Sequence, residues 1–529
     1  MSKLINSRFN WLSSDHIYPY VLAGILVLAL SIRLIGLDKG IWLDEEFTIR
    51  MISQDNLWEM LQALSQDTHP PLYYVLLYFW SKITNSEESL RLLSALFGVG
   101  TVAVVMSWLK QYSHLASILA GIYLATAPIM LRFSQEIRGY SLLVFATALA
   151  FFFASRLSTQ PEKLSGYIGL TLSLTAAIST KLIGVMLLAP IFLLVVMMTA
   201  LEQKENLWMK VSATFTIPFL AFIYFYFFYL TNLSRNTENF WIPDVSPYLL
   251  SSTWQYLLGL SSLFFSNYLN HILSFVFFAI LAMAMIFGKW QRNFPFLLVV
   301  ICFWLEIIIY SLIKTPIFWY RTLLPSLIPF IAFIFLQIAT IQAKKIKIAS
   351  IILLTSFSIL VTANWVTVQA YRPVEYYKQV AQLVESEWQP NNLVLFHPPY
   401  IAKTVEYYLN KIPLEGGKVI YHSKDIDNIK YDLEQLSAES AANKNPVFLI
   451  IRVDLVHQLE TFKKLLSVIQ GEFKDSLNLK VFLIISHDVS FIEEQDTYNS
   501  FLAALEDEFG QPISYHDKKV YILSEYEQI

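Results

Sequence analysis

The chain has 529 residues, of which 55% are hydrophobic and 15% charged, with a formal net charge of −3. Soluble proteins carry about a quarter charged residues, so the composition excludes an ordinary soluble globule. It also excludes a global basic field for nucleic acid, and the single cysteine, Cys302, excludes an internal disulfide framework or a thiolate metal cluster.

Apolar windows of about 18–22 residues recur, and a helix needs about 20 to cross a bilayer. The expected fold class is therefore a polytopic α-helical membrane protein. The first apolar run, about Tyr18–Ile35, lacks a small-residue cleavage site after it and reads as a retained helix. A long loop over 37–88 follows. Its apolar stretches Leu57–Leu64 and Leu72–Ile83 are too short to span and suit the interface, with Tyr73, Tyr74, Tyr78 and Trp80 at headgroup depth.

Further spans are expected at about Leu90–Leu109, Leu115–Leu131, Ser141–Ala154, Gly166–Ile178, Leu182–Thr199 and Val211–Leu230. Leu249–Phe265 reads as another interfacial segment. Ile272–Phe287, Phe294–Ile313, Leu323–Ile338 and Ile348–Val366 complete a set of about eleven spans. Beyond about Tyr371 charges become frequent. Short β-type runs (Asn392–Phe396, Val447–Arg452, Leu479–Ser486, Lys519–Leu523) alternate with helical patterns there. The expected division is a membrane domain over 1–370 and a C-terminal soluble α/β domain over 371–529.

Lysine and arginine in short loops set the orientation. Lys3/Arg8, Lys110, Arg156/Lys163, Lys204/Lys210, Lys289/Arg292 and Lys344/Lys345/Lys347 fall on alternate sides of consecutive spans, which puts them in the cytoplasm. The 37–88 loop and the C-terminal domain are then extracytoplasmic. That face still carries Lys39, Arg50, Arg91, Arg132, Arg138, Lys181, Arg235, Lys314 and Arg321. The orientation rule does not explain these cations, and an anion held at the outer surface would.

Asp44-Glu45-Glu46 opens the outer loop. Acids at a helix start are favoured by the dipole whatever their use. A carboxylate at a dry membrane face can also serve as a general base toward a hydroxyl. Neighbours on a helix point about 100° apart, so Asp44 and Glu45 should differ in role. Thr68-His69-Pro70-Pro71 reads first as a rigid turn, with Pro71 at a first helical position; His69 could in addition donate to a phosphate. The link Gln135-Glu136-Ile137-Arg138-Gly139-Tyr140 is either a plain connection or a support facing the acidic loop. Lys181, between two apolar runs, either snorkels or meets a phosphate. Arg321 follows the interfacial anchors Trp319 and Tyr320 and has the fork geometry for a phosphate clamp. No metal, Walker or dinucleotide motif is present, so neither ATP nor a nicotinamide is indicated, no cofactor is certain, and a divalent metal stays open without being indicated.

These stretches together resemble a known family. Trp42-Leu43-Asp44-Glu45, His69-Pro70-Pro71-Leu72-Tyr73-Tyr74, Ser89–Gly98, Ser134-Gln135-Glu136-x-Arg138-x-Tyr140 and Tyr320-Arg321-x-Leu-Leu-Pro325 occur in order. The pattern is similar to that of the polyprenyl-phosphate-dependent glycosyltransferases of GT-C architecture, family 39. The protein O-mannosyltransferases and the aminoarabinose transferases of lipid A are related to it. The resemblance covers about residues 20–330. It implies a sugar on a polyprenyl phosphate as donor, a protein, lipid or glycan acceptor, and inversion in a single displacement at the outer face of the cell membrane. Asp44 would be the catalytic base and Glu45 its supporting acid or acceptor-positioning partner. His69, Arg138, Lys181 and Arg321 would bind the donor, and Glu136, Tyr140 and Tyr320 would support them. His69 departs from the basic residue, lysine, that many relatives carry there, and a histidine can be neutral. The competing classes are a non-catalytic polyprenyl-lipid transporter and a membrane-anchored sensor, and the sensor leaves the ordered outer charges without a use.

Overall fold

The computed structural model describes residues 15–201, 208–235, 242–260, 267–370, 375–386, 388, 393–409, 419–422, 431, 447–454, 479–486 and 520–523. By internal contacts the chain divides into two compact units, 1–37 with 48–371 and 38–47 with 372–529.

The first unit is helical, and the protein is a multi-pass membrane protein. Among the described residues, seven helices are long and apolar enough to span: Glu87–Lys110, Tyr140–Thr159, Lys210–Tyr229, Leu269–Phe287, Asn293–Ile313, Tyr320–Thr340 and Lys344–Thr367. Their outward apolar side chains, among them Phe227, Phe275, Ile286, Leu312 and Ile359, stay exposed, as suits surfaces that meet acyl chains. The expected eleven spans also require Tyr18–Arg33, Leu164–Thr180 and Leu182–Met198, which are shorter. The two interfacial stretches expected in the loop form the helices Leu57–Leu64 and Leu72–Ser81.

The expected third span, Leu115–Leu131, is not one straight helix. It breaks into His114–Thr126 and Pro128–Ser134, bent by 58°. Pro128 has no N–H to give the carbonyl of Leu124 four residues back. The guanidinium of Arg33, fully buried, supplies the missing donors: Nη2 reaches Leu124 O at 3.1 Å and Nη1 reaches Ala125 O at 3.1 Å. Nη1 also bonds Ala29 O and Nε bonds Ser134 Oγ. Gln135 returns the favour, its Nε2 donating to the carbonyls of Arg33 and Ile35 at 2.9 and 2.6 Å, where the first helix ends. Deeper in the bundle, Trp108 stacks on Phe151, meets Phe296 edge-on and donates to Ser155 Oγ at 2.7 Å.

The second unit holds a five-stranded, wholly parallel sheet in the order β2-β1-β3-β4-β5. The strands are β1 (Leu393–His397), β2 (Val419–His422), β3 (Val447–Asp454), β4 (Leu479–Ser486) and β5 (Val520–Leu523). Four of them coincide with the runs read from the sequence, and β2, Val419-Ile420-Tyr421-His422, was not among those runs. The amphipathic helices Tyr377–Ser386 and Ala402–Leu409 flank β1 in the chain. The acidic segment 38–47 packs within this same unit. Ile41 N–H donates to Tyr408 Oη at 2.7 Å, and Lys378 Nζ approaches Asp38 O at 3.5 Å. At Gly40 a Cβ would stand 3.0 Å from Lys378 Cβ, so the backbone approaches that helix closely.

Replacing Arg33 by methionine keeps the bulk and orphans two buried carbonyls, each costing on the order of 1–3 kcal/mol. The expected outcome is a clearly lower unfolding midpoint in detergent, and an unchanged midpoint would show that the break does not need Arg33.

Candidate functional site

Three motif stretches far apart in sequence meet in the first unit. Arg138, 5% exposed, is the centre. Its Nη1 donates to Thr48 Oγ1 at 3.2 Å and lies 3.5 Å from Tyr74 Oη, while its Nη2 lies 3.2 Å from His69 Nε2. The other ring nitrogen of His69, Nδ1, is 3.0 Å from Asp67 Oδ2. Lys181, also buried, sets its ammonium 4.2 Å from the ring centre of Tyr140, a cation–π distance.

Local chemistry explains how these side chains are held. Ser94, inside the Ser89–Gly98 stretch, pairs with Tyr73 Oη at 2.9 Å and faces Arg138 O at 3.5 Å. The carbonyl of Ser94 accepts from Ser141 Oγ at 2.7 Å. One serine thus ties the His-Pro-Pro helix to the middle and the far end of the Arg138 link. Gly139 lets Thr180 and Tyr73 close on that link: a Cβ there would stand 2.9 Å from Thr180 Cγ2 and 3.2 Å from Tyr73 Cβ. Arg91, another of the cations expected outside, is fully buried, with Nη1 donating to Leu37 O at 2.7 Å. That bond gives Arg91 a structural use.

The pocket's charges act on one another. Burial lowers the pKa of His69 most, the nearby Lys181 charge lowers it further, and Asp67 opposes both; the net shift is downward from 6.5. Burial would raise Asp67, but His69, the Thr68 backbone N–H and Arg138 hold its carboxyl well below the usual range.

A second group lies around Tyr320. Arg132 pairs with the buried Glu136 at 3.3 Å and packs over the rings of Phe133, Tyr256 and Tyr320 at 5.8, 5.5 and 5.8 Å. Tyr256 and Tyr320 stack at 4.0 Å. Arg321 Nε donates to Tyr320 Oη at 3.3 Å. Phe133 joins the two groups, its ring 4.8 Å from that of Tyr140 and 6.0 Å from that of Tyr320.

In the second unit, Asp44, Glu45 and Glu46 occupy the first turn of the helix Leu43–Ile52. Glu45 and Glu46 are buried and Asp44 is half-buried. Glu45 Oε2 accepts from Trp42 N–H at 3.4 Å, the return half of a capping box. Thr48, which accepts from Arg138, lies four residues after Asp44 on the same helix.

The structure therefore brings together His69, Arg138, Lys181 and Tyr140, and separately Glu136, Tyr320 and Arg321. Asp67, Thr48, Tyr74 and Ser94 belong with the first group and were not foreseen. Asp67 stands two residues before His69, and that spacing was the available signal. Among the described residues no three His, Cys, Asp or Glu side chains gather as a metal site would require.

Residues 68–230 match the model of the dolichyl-phosphate-mannose-protein mannosyltransferase family. No curated protein matches the sequence. Among solved structures, ArnT from Cupriavidus metallidurans in the apo state aligns over 80% of this chain and 94% of its own, at 11% identity and a TM-score of 0.52. ArnT bound to undecaprenyl phosphate aligns over 88% and 90%, at 12% identity and 0.48. The S. cerevisiae Pmt1–Pmt2 complex bound to the sugar donor aligns over 43% and 36%, at 18% identity and 0.33. At such identities the likeness concerns fold, and the apo ArnT alignment carries it. The resemblance to GT-C glycosyltransferases drawn from the motifs is borne out.

Gly139→Ala should force Thr180 and Tyr73 apart and destabilise the chain by about 1–3 kcal/mol, the usual range for overpacking. A thermal melt checks it, and a wild-type midpoint would mean that the close approach is slack.

Proposed function

We propose that this chain is an integral-membrane glycosyltransferase that moves a sugar from a polyprenyl-phosphate carrier to an acceptor hydroxyl or amine at the extracytoplasmic face. The observation that carries the reading is that Arg138 and Lys181, two cations from separate stretches, are buried in the helical bundle and both act on His69 there. Buried cations are costly in a membrane domain, and an anionic substrate group gives them a use. The match of residues 68–230 to a family named for a dolichyl-phosphate-mannose donor supports the same chemistry.

In this reading the donor's phosphodiester lies against Arg138 and Lys181, and its isoprenoid tail runs in the bilayer beside the helices. Arg321 and the aromatic group around Tyr320 take the sugar or a second phosphate oxygen. Asp44 removes the proton from the acceptor. The acceptor oxygen or nitrogen bonds to the anomeric carbon as the bond from that carbon to the phosphate oxygen breaks, with inversion. The electron pair stays on the departing polyprenyl phosphate, and fixed cations stabilise the charge that grows there. Glu45 caps the helix that presents Asp44. Eleven spans, which count the three shorter apolar helices, place the 37–88 loop and the C-terminal α/β domain outside, and that domain takes part in choosing the acceptor.

Purified chain and Asp44→Asn should be mixed with a panel of polyprenyl-phosphate sugars and acceptors. Released polyprenyl phosphate is read by mass spectrometry. General-base assistance is worth roughly 10²–10⁴-fold, so release by wild type and a loss of that size in Asp44→Asn, with donor binding kept, are expected. Full activity of the variant would remove Asp44 from the chemistry. Wild type that neither binds nor cleaves any donor would end the transferase reading.

A further inference from the structure

His69 stands where a phosphate-binding cation is expected, but its two ring nitrogens are both engaged by protein. Nδ1 faces a carboxylate oxygen of Asp67 at 3.0 Å, and Nε2 faces Nη2 of Arg138 at 3.2 Å. Arg138 has donors only, and an ionised carboxylate has acceptors only. One protonation state satisfies both contacts: a neutral ring with its proton on Nδ1, donating to Asp67, and its lone pair on Nε2, accepting from Arg138. A protonated ring would aim an N–H at the guanidinium.

We propose that Asp67 and His69 are positioning residues: Asp67 fixes the Nδ1–H tautomer of His69, and the free lone pair of His69 orients the Arg138 guanidinium toward the donor phosphate. The proposal deepens the transferase reading and rests on it for the identity of the phosphate. Its tautomer component stands on geometry alone. The two cations that face the ring favour its neutral form, and burial adds to them. Arg138 comes from the link before Tyr140 and Lys181 from the end of the Leu164–Thr180 helix, and both oppose a proton on the ring. Asp67 opposes them and is itself held by Arg138 and the Thr68 amide, with the Tyr229 phenol from the Trp208–Arg235 helix near it. The resulting downward shift of His69 from 6.5 places its neutral form across the neutral pH range.

The sign of the pH dependence follows. A lowered folded pKa means that the neutral ring's contribution is present above 6.5 and is lost as pH falls through the lower folded value. Below that value His69 protonates, turns against Arg138 and releases it, so phosphate affinity falls. A histidine that bound phosphate directly would do the opposite and raise affinity on protonation.

Two measurements on the full chain in nanodiscs test this. The first is ¹⁵N NMR of labelled histidine, with His69 assigned by its loss in His69→Gln. Expected at neutral pH is a protonated Nδ1 and an unprotonated Nε2, with a titration midpoint that moves further down in Asp67→Asn. An imidazolium, an Nε2–H tautomer, or a midpoint indifferent to Asp67 would overturn the proposal. The second is binding of farnesyl methyl phosphate, a phosphodiester whose charge does not change over this pH range. His69→Lys should bind it roughly tenfold more weakly, because a like charge is set against Arg138, and wild-type affinity should drop on acidification. Equal or tighter binding by His69→Lys, or a rise with acid, would make His69 a phosphate ligand and overturn the positioning role. If wild type does not bind the probe, the donor reading fails, and the NMR still decides the tautomer.

Discussion

A helix that breaks inside an apolar bundle exposes carbonyl groups where no water can reach them, and each must find a donor from the protein. At the Pro128 break the donor is Arg33, and at the end of the first helix it is Gln135. The two exchanges are reciprocal, because Arg33 also bonds Ser134, the residue before Gln135. The link from Ser134 to Tyr140 is thereby fixed at its start, and Ser141 fixes its end through the Ser94 carbonyl. Only with both ends held does Arg138, between them, have a defined direction.

The cations of the first unit then separate by their partners. Arg33 and Arg91 both donate to backbone carbonyls, which serves the fold. Arg132 meets Glu136 and a set of rings, an arrangement that balances its charge locally. Arg138 meets hydroxyls and a neutral-facing imidazole, and Lys181 meets the face of Tyr140.

The acidic segment belongs with a different part of the chain. Residues 38–47 pack with the C-terminal unit through Tyr408 and Lys378. The Tyr408 hydroxyl holds the backbone at Ile41, just ahead of the helix that begins at Leu43. A sequence reading treats residues 37–88 as one loop of the membrane domain, because nothing near Trp42 announces a partner more than three hundred residues away. Packing divides that loop between two bodies.

Much of the architecture was legible because it follows from local chemistry. The length of apolar runs marked the long spanning helices, and short β-type runs marked four strands of the sheet. The dipeptide before Leu72 and the acids after Trp42 marked two helix starts. The order of five loose motifs marked the GT-C resemblance. What the sequence could not supply was pairing at a distance. That His69 faces Arg138, that Ser94 ties three stretches together, that Glu45 caps its own helix while Arg33 caps another, and that the loop divides at Leu37 and Phe47 are decided by tertiary packing. The reason is physical: hydrophobic length and period are carried by neighbours in the chain, whereas the partner of a buried polar group is whichever complementary group the folded bundle brings within hydrogen-bond reach.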